Sequence, residues 1–192
     1  HVETAKITFE AYKELIEKYC AGNTELQYIL LTHSRQVADR ALSILQAHPE
    51  WVESGEVDPI FVEEAAMLHD IGVVLCDAPK IHCLGTHAYI EHGYLGAEIL
   101  RQEGLPKHAQ VAERHTGTGI TYEQIVREHL PMPLREYSPQ TLEEKLICYA
   151  DKFYSKTRLG QDKPMTKIRQ HMWKYGSEAV ARFDKLQNLF EP

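Results

Sequence analysis

Cysteine is scarce and scattered. Cys20, Cys76, Cys83 and Cys148 are the whole complement, and no two form a C-x-x-C pair. No pair has a recognisable disulfide or zinc spacing. The thiols are therefore read as reduced, in a cytoplasmic protein, with Cys76 and Cys83 a minor candidate for a metal pair. Long apolar runs are missing too. None approaches the roughly 18 residues that a membrane span needs. No signal peptide is visible at the start. The chain opens on His1 and not Met, which leaves a trimmed start and a lost leader open. Convincing alternation of apolar and polar residues is absent, so no strand is predicted. There are no repeats, low-complexity segments or linker. There is no G-x-S-x-G elbow and no P-loop, so neither competes as a catalytic or phosphate site. Positive charge is in deficit: 21 Lys and Arg against 28 Asp and Glu leave a formal charge of −7. That argues against general nucleic-acid binding. It leaves room for a small anionic substrate, because a metal site holds local positive charge inside an acidic protein.

What is present reads helix after helix. The 192 residues, 43% hydrophobic, suffice for one domain with a real core. Thr24 is the expected cap of a helix to about Ala47, with Leu26, Leu30, His33, Val37, Ala41 and Ile44 on its apolar stripe. Asp58-Pro59 starts a helix that ends at Asp70 or Ile71, with Gly72 as its stop. Residues 73–90 read as a loop. Helices follow over about 91–103 and 106–115, and a short one starts at Thr121. Thr141-Leu142-Glu143-Glu144 is a capping box, and its helix runs to about Lys156. Pro164 opens a last helical region, broken at Gly176-Ser177. The expected architecture is a single all-α domain over 1–192, a bundle of about six to eight helices with a core over about 24–158 and flanking terminal helices.

Five polar residues sit on helix faces that otherwise turn inward. His33 lies on its stripe, His69 follows Val62, Ala65 and Ala66, and His115 follows Val111 and Ala112. His92 aligns with Leu95 and Ile99, and Asp151 with Ile147, Ala150 and Tyr154. A single histidine in such a place is more often a packing residue. A buried Asp is rarer, since an unpaired carboxylate is costly to bury; Arg35, Arg40, Arg114 or Lys152 could pair with one. Five coincidences together favour metal ligation. Mixed His and Asp donors suit iron, manganese or zinc, and more weakly magnesium. The adjacent Asp70 completes the set. His82, His87 and His108 are weaker candidates, and His1, His48, His129 and His171 read as surface or packing residues.

His33, His69-Asp70-Ile71-Gly72 and Asp151 resemble the H…HD…D signature of the HD superfamily of metal-dependent phosphohydrolases, in its HDIG form. The resemblance covers roughly residues 24–158. Residues Glu91–Ala97 and Arg114-His115-Thr116-Gly117 resemble the two additional histidine motifs of the two-metal branch, which includes bacterial diadenosine tetraphosphate hydrolases. Residues 113–121, 141–145 and 150–152 look most like small stand-alone HDIG proteins of unassigned substrate.

The resemblance implies that His33, His69, Asp70 and Asp151 hold a first divalent ion. Asp70 would bridge to a second held by His92 and His115. A metal-activated hydroxide would attack a nucleotide or another small phosphate ester. Asp70, Arg114 and Lys152 are the candidate catalytic residues. One departure stands out: many members carry Lys directly after HDIG, where this chain has Val73-Val74. Lys80, Arg114, Lys152, Lys156 or Arg158 would then contact phosphate, or the substrate carries less charge. Two alternatives follow. The first is a mixed-valent di-iron oxygenase, and the second a metal-bound regulatory domain without turnover.

Overall fold

The computed structural model describes residues 9–192; the His1 reading lies outside them. Ten α-helices are found among these residues: α1 Phe9–Cys20, α2 Thr24–Gln46, α3 Pro49–Glu53, α4 Pro59–Leu68, α5 His92–Gln102, α6 Pro106–Glu113, α7 Tyr122–Glu128, α8 Leu142–Asp151, α9 Met165–Trp173 and α10 Ser177–Phe190. The fold is all-α, as expected. The short α3 was not anticipated from the sequence, where five residues opened by Pro49 are too few to show a period.

The long α2 packs against α4 and α8, and α5 against α6. Their facing sides form the core, from Leu30, Val37 and Ala41 through Val62, Ala65 and Ala66 to Ile147 and Ala150. A smaller cluster of Ile120, Ile125 and Tyr137 fixes α7 beside the 116–120 loop. α9 and α10 pack on each other, and α10 also on α8. No helix among the described residues is long and apolar enough to cross a membrane. All four cysteines are buried and free.

Several boundaries differ from the sequence reading. Asn23, not Thr24, caps α2, its side chain accepting from the Leu26 N–H; Asn is the stronger cap. Asp58 caps α4 as expected, with Pro59 in the first turn. The 73–90 segment is more ordered than a plain loop. It holds 3₁₀ turns and a two-stranded antiparallel ribbon, β1 Asp77–Ala78 with β2 Cys83–Leu84, too short to show any alternation. α8 stops at Asp151, and the chain turns so that Lys156 folds back toward the core instead of extending the helix.

Gly72 does not stop α4, which ends at Leu68, nor does it adopt a left-handed conformation. It lies in a 3₁₀ turn over Ile71–Leu75, where α5 passes at backbone contact. A Cβ there would stand 2.0 Å from the His92 carbonyl oxygen and 2.5 Å from the Gly96 nitrogen. Neither atom belongs to a side chain that could swing away. Gly72→Ala is therefore expected to force α5 outward and cost roughly 1–3 kcal/mol or more. Urea unfolding measures this, and an unchanged midpoint would contradict the close approach.

A candidate metal centre at the helix ends

The site is assembled from side chains near helix termini. His69 is the C-terminal cap residue of α4, His115 lies just beyond α6, His92 opens α5 and Asp151 ends α8. His33 alone comes from mid-helix, on α2. Helix ends leave backbone carbonyls without helical donors, and His69 and His115 use carbonyls of this kind; His92 uses the Tyr89 carbonyl of the 3₁₀ turn that precedes α5. His69 Nδ1 bonds to the Ala66 oxygen at 2.5 Å, His92 Nδ1 to the Tyr89 oxygen at 2.6 Å, and His115 Nδ1 to the Ala112 oxygen at 2.7 Å. In each, Nδ1 donates to a carbonyl three residues earlier, which turns Nε2 toward the centre. That is the orientation seen in metal-binding histidines.

The Nε2 atoms converge on two carboxylates. His33 and His69 both lie 3.0 Å from Asp70 Oδ2, and 3.0 and 3.1 Å from Asp151 Oδ1. His92 and His115 lie 3.3 and 3.2 Å from Asp70 Oδ1. Two overlapping donor groups result, His33–His69–Asp70–Asp151 and Asp70–His92–His115, each with its donor atoms within 4.8 Å of one another. Asp70 belongs to both, one oxygen facing each.

Two observations test whether this set fits metal ions. Both Asp70 oxygens are buried without a correctly directed hydrogen bond, despite the short distances. His92 and His115 also bring their Nε2 atoms to 3.0 Å of each other. With both Nδ1 atoms donating to carbonyls, the gap between the two Nε2 atoms needs a single cation, a proton or a metal ion, to be favourable. The cluster could hold metal ions, and its donor chemistry fits them.

The charge balance points the same way. Burial disfavours the ionised forms of Asp70 and Asp151, but their partners outweigh it and hold both carboxyls well below the ordinary range: the charges of His69 and Lys156 for Asp70, and for Asp151 the charge of Lys152 with hydrogen bonds from His33 and His69. Burial likewise opposes a charged His69, yet Asp70 and Asp151 raise it to about 10. Burial lowers His115 to about 4, against the pull of Asp70, so it is neutral at pH 7.

The sequence-predicted cations divide. Lys152 is buried and donates to Asp151 Oδ2 at 2.8 Å and to the His115 carbonyl at 2.9 Å. It positions two members of the cluster. Lys156 lies 2.9 Å from Asp70 Oδ2 and donates to the Tyr89 hydroxyl at 2.8 Å. Arg114 is turned away and holds Glu144 at 2.9 Å. Its place beside His115 in sequence is misleading, because the chain leaves the helix at Arg114 and the two side chains take different directions. Arg35 and Arg40 pair with other carboxylates, Asp39 and Glu63 for the first, Asp162 and Glu191 for the second.

A cavity of about 450 Å³ opens onto His92, His115 and Asp151. Lys80, Lys152 and Lys156 line it; Arg114 and Arg158 do not. His171, read from sequence as a surface or packing residue, also lines it. Lys163 and Arg182 line it without having been singled out, since nothing in the sequence ties the C-terminal helices to the HDIG motif. His108 bonds Glu64 at 2.9 Å in the core, while His82 pairs with Glu25 and His87 with Glu91, outside the cluster. His48 stacks on Trp51, and His129 ends α7 in a left-handed conformation. Neither Cys76 nor Cys83 belongs to the donor groups.

Fold and site together define a helical domain with a buried His/Asp cluster. The chain belongs to the HD domain family, whose model matches residues 30–155. An uncharacterized protein of Methanocaldococcus jannaschii is 33% identical over 95% of this chain and 99% of its own length. A tRNA (cytidine(56)-2'-O)-methyltransferase of Picrophilus torridus is 33% identical over 67% of this chain. One of Thermoplasma volcanium with the same name is 28% identical over 90%. The matches span only 34% and 44% of those two enzymes. No solved structure matches the chain.

The raised pKa of His69 has a measurable consequence. At pH 7.5 the metal-free site carries a proton on His69, held between Asp70 and Asp151. A metal ion needs the neutral imidazole, so loading should expel about one proton from this residue, while His115 contributes none. Titration calorimetry in buffers of different ionisation enthalpy reads the number. Zero release at pH 7.5 would contradict the assignment of His69 as a ligand.

Proposed function

We propose that the protein is a metal-dependent phosphohydrolase acting on a nucleotide or another small phosphate ester. The observation that carries this reading is the pair of donor groups sharing Asp70, reached through His92, His115 and Asp151 from a cavity lined by lysines. His33, His69, Asp70 and Asp151 would hold one divalent ion, and Asp70, His92 and His115 a second. When bound, such ions supply Lewis acidity, making water nucleophilic near neutral pH and offsetting charge on the phosphoryl oxygens. Iron, manganese and zinc suit the donors best, with magnesium less so.

The remaining roles fall to the chain itself. Lys152 keeps Asp151 and the His115 turn in place. Lys156 stands at the cluster with Tyr89 on its ammonium group, within reach of a phosphoryl oxygen brought to Asp70. Lys80 adds charge on the cavity wall. Together they offer the phosphate contact that Val73-Val74 cannot provide. The oxygenase alternative rests on that missing lysine, so lysines supplied from elsewhere weaken its motive. A regulatory domain without turnover would not need an open cavity beside an intact donor set.

The two methyltransferase relatives carry their name over more than twice the sequence matched here. Their link to tRNA makes nucleotides and other RNA-derived phosphate esters the first substrates to try. The acidic chain favours small members of that class over whole nucleic acids.

Manganese-loaded protein, assayed without oxygen against a panel of phosphomonoesters and phosphodiesters, is expected to release phosphate or a phosphomonoester. Asp70→Ala should lower that rate at least about 100-fold while the helical circular dichroism is kept. Activity seen only with iron and oxygen, with an oxygen atom incorporated into the product, would overturn the hydrolase reading.

A further inference from the structure

The cavity wall beyond the cluster has a charge pattern that hydrolysis of a simple monophosphate does not require. The chain as a whole is acidic, at −7, yet this lining is basic: Lys80, Lys152, Lys156, Lys163 and Arg182 against Asp151 as the sole acidic member, with His171, whose pKa burial and the nearby lysines push down, as a neutral hydrogen-bonding group beside them. Lys152 and Lys156 are matched by Asp151 and Asp70. Among the described residues, no carboxylate comes within ion-pair distance of Lys80, Lys163, His171 or Arg182. Other cations without an ion pair, such as Arg127, Lys167 and Lys185, are exposed, whereas Lys163 and Arg182 are half-buried.

Leaving like charges together in a partly dry cavity is costly unless an anion joins them. Burial, and the neighbouring charges of Lys152 and Lys156, push Lys163 below its ordinary range against the pull of Asp151. Arg182 has a buried Nε without a partner, and its guanidinium reaches only the Gly119 carbonyl, at 3.4 Å. α10 is secured at this point, because the Thr118 hydroxyl donates to the Ala179 carbonyl at 3.1 Å. A guanidinium held in this way suits bidentate recognition of phosphate or carboxylate. Lys163, His171 and Arg182 all lie beyond residue 155, where the family match ends, so this part of the wall is the contribution of α9, α10 and the segment that leads into α9. Ile120, Ile168, Met172 and Tyr175 line the same cavity and offer an apolar surface for an uncharged middle portion of a ligand.

We propose that Lys163, His171 and Arg182, with Lys80, form a second anion subsite, and that the substrate is a phosphate ester carrying another anionic group on the same small molecule. This rests on the phosphohydrolase reading for the group placed at the cluster. The subsite accounts for the unpaired cations and selects doubly anionic esters over simple monoesters.

Adenosine 5′-monophosphate and adenosine 3′,5′-bisphosphate are suitable probes, because they differ by one phosphate. Binding of each to the metal-free full-length chain is measured by calorimetry. The relative kcat/KM of each is measured on manganese-loaded protein. The bisphosphate is expected to bind about tenfold tighter or better. Arg182→Gln and Lys163→Met should each reduce that ratio to about threefold or less. Circular dichroism and metal content identify any variant that has not folded, and the second variant then carries the test. Equal affinity of the two probes for the wild-type chain, or an unaltered ratio in both variants, overturns the subsite. Turnover of both esters at equal kcat/KM with equal affinity sinks it too, and leaves the hydrolase reading standing. The affinity ratio, lost in the variants but accompanied by no turnover of any phosphate ester, supports the subsite and removes the hydrolase.

Discussion

The arrangement depends on one kind of hydrogen bond, an imidazole Nδ1–H donated to a carbonyl three residues earlier. His69, His92 and His115 each make it. The bond fixes the direction of each ring, so that three Nε2 atoms meet at Asp70; in a neutral ring that atom carries the lone pair. It also answers a need of the fold. α4 and α6 end inside the protein, and carbonyls in their last turns need donors that the helix no longer supplies. For His69 and His115 the bonds that finish these helices also aim the imidazoles, which places both side chains at helix ends. Gly72 completes the geometry by letting the His92 turn come to backbone contact with the segment after Asp70.

Charge is the second constraint. Two ionised carboxylates, Asp70 and Asp151, lie in or at the edge of the core, and neither could be held there alone. Lys152 and Lys156 balance them from the turn after α8. That turn exists because α8 stops at Asp151; a helix continued to Lys156 would carry the lysine elsewhere. The local balance leaves Lys80, Lys163 and Arg182 on the cavity wall as an excess of positive charge, and the proposed selectivity for anionic esters follows from that excess.

Much of the centre was legible in the sequence, for a physical reason. A histidine on an apolar stripe, such as His33 among Leu30, Val37 and Ala41, shows itself by periodicity alone, and so does Asp151 after Ile147 and Ala150. The all-α fold follows from the same periods. What was not legible depends on packing between distant segments. Arg114 stands next to His115 in the chain but turns to Glu144. Gly72 looks like a helix stop and is instead a point of close approach. His171 and Arg182 reach the cavity only because α9 and α10 fold back over it, and Lys163 because its N–H returns to the Phe153 carbonyl; no local pattern encodes either return. The ribbon and 3₁₀ turns of residues 73–90 escape periodicity because each is two to five residues long.

The central claim is that one carboxylate, Asp70, joins two metal positions. Electron paramagnetic resonance of protein loaded with two equivalents of manganese(II) tests it most directly. Ions bridged by Asp70 are expected to give the broad, temperature-dependent spectrum of an exchange-coupled pair, replaced by isolated-ion lines in Asp70→Ala. Two uncoupled six-line signals from the fully loaded wild-type protein would contradict the account.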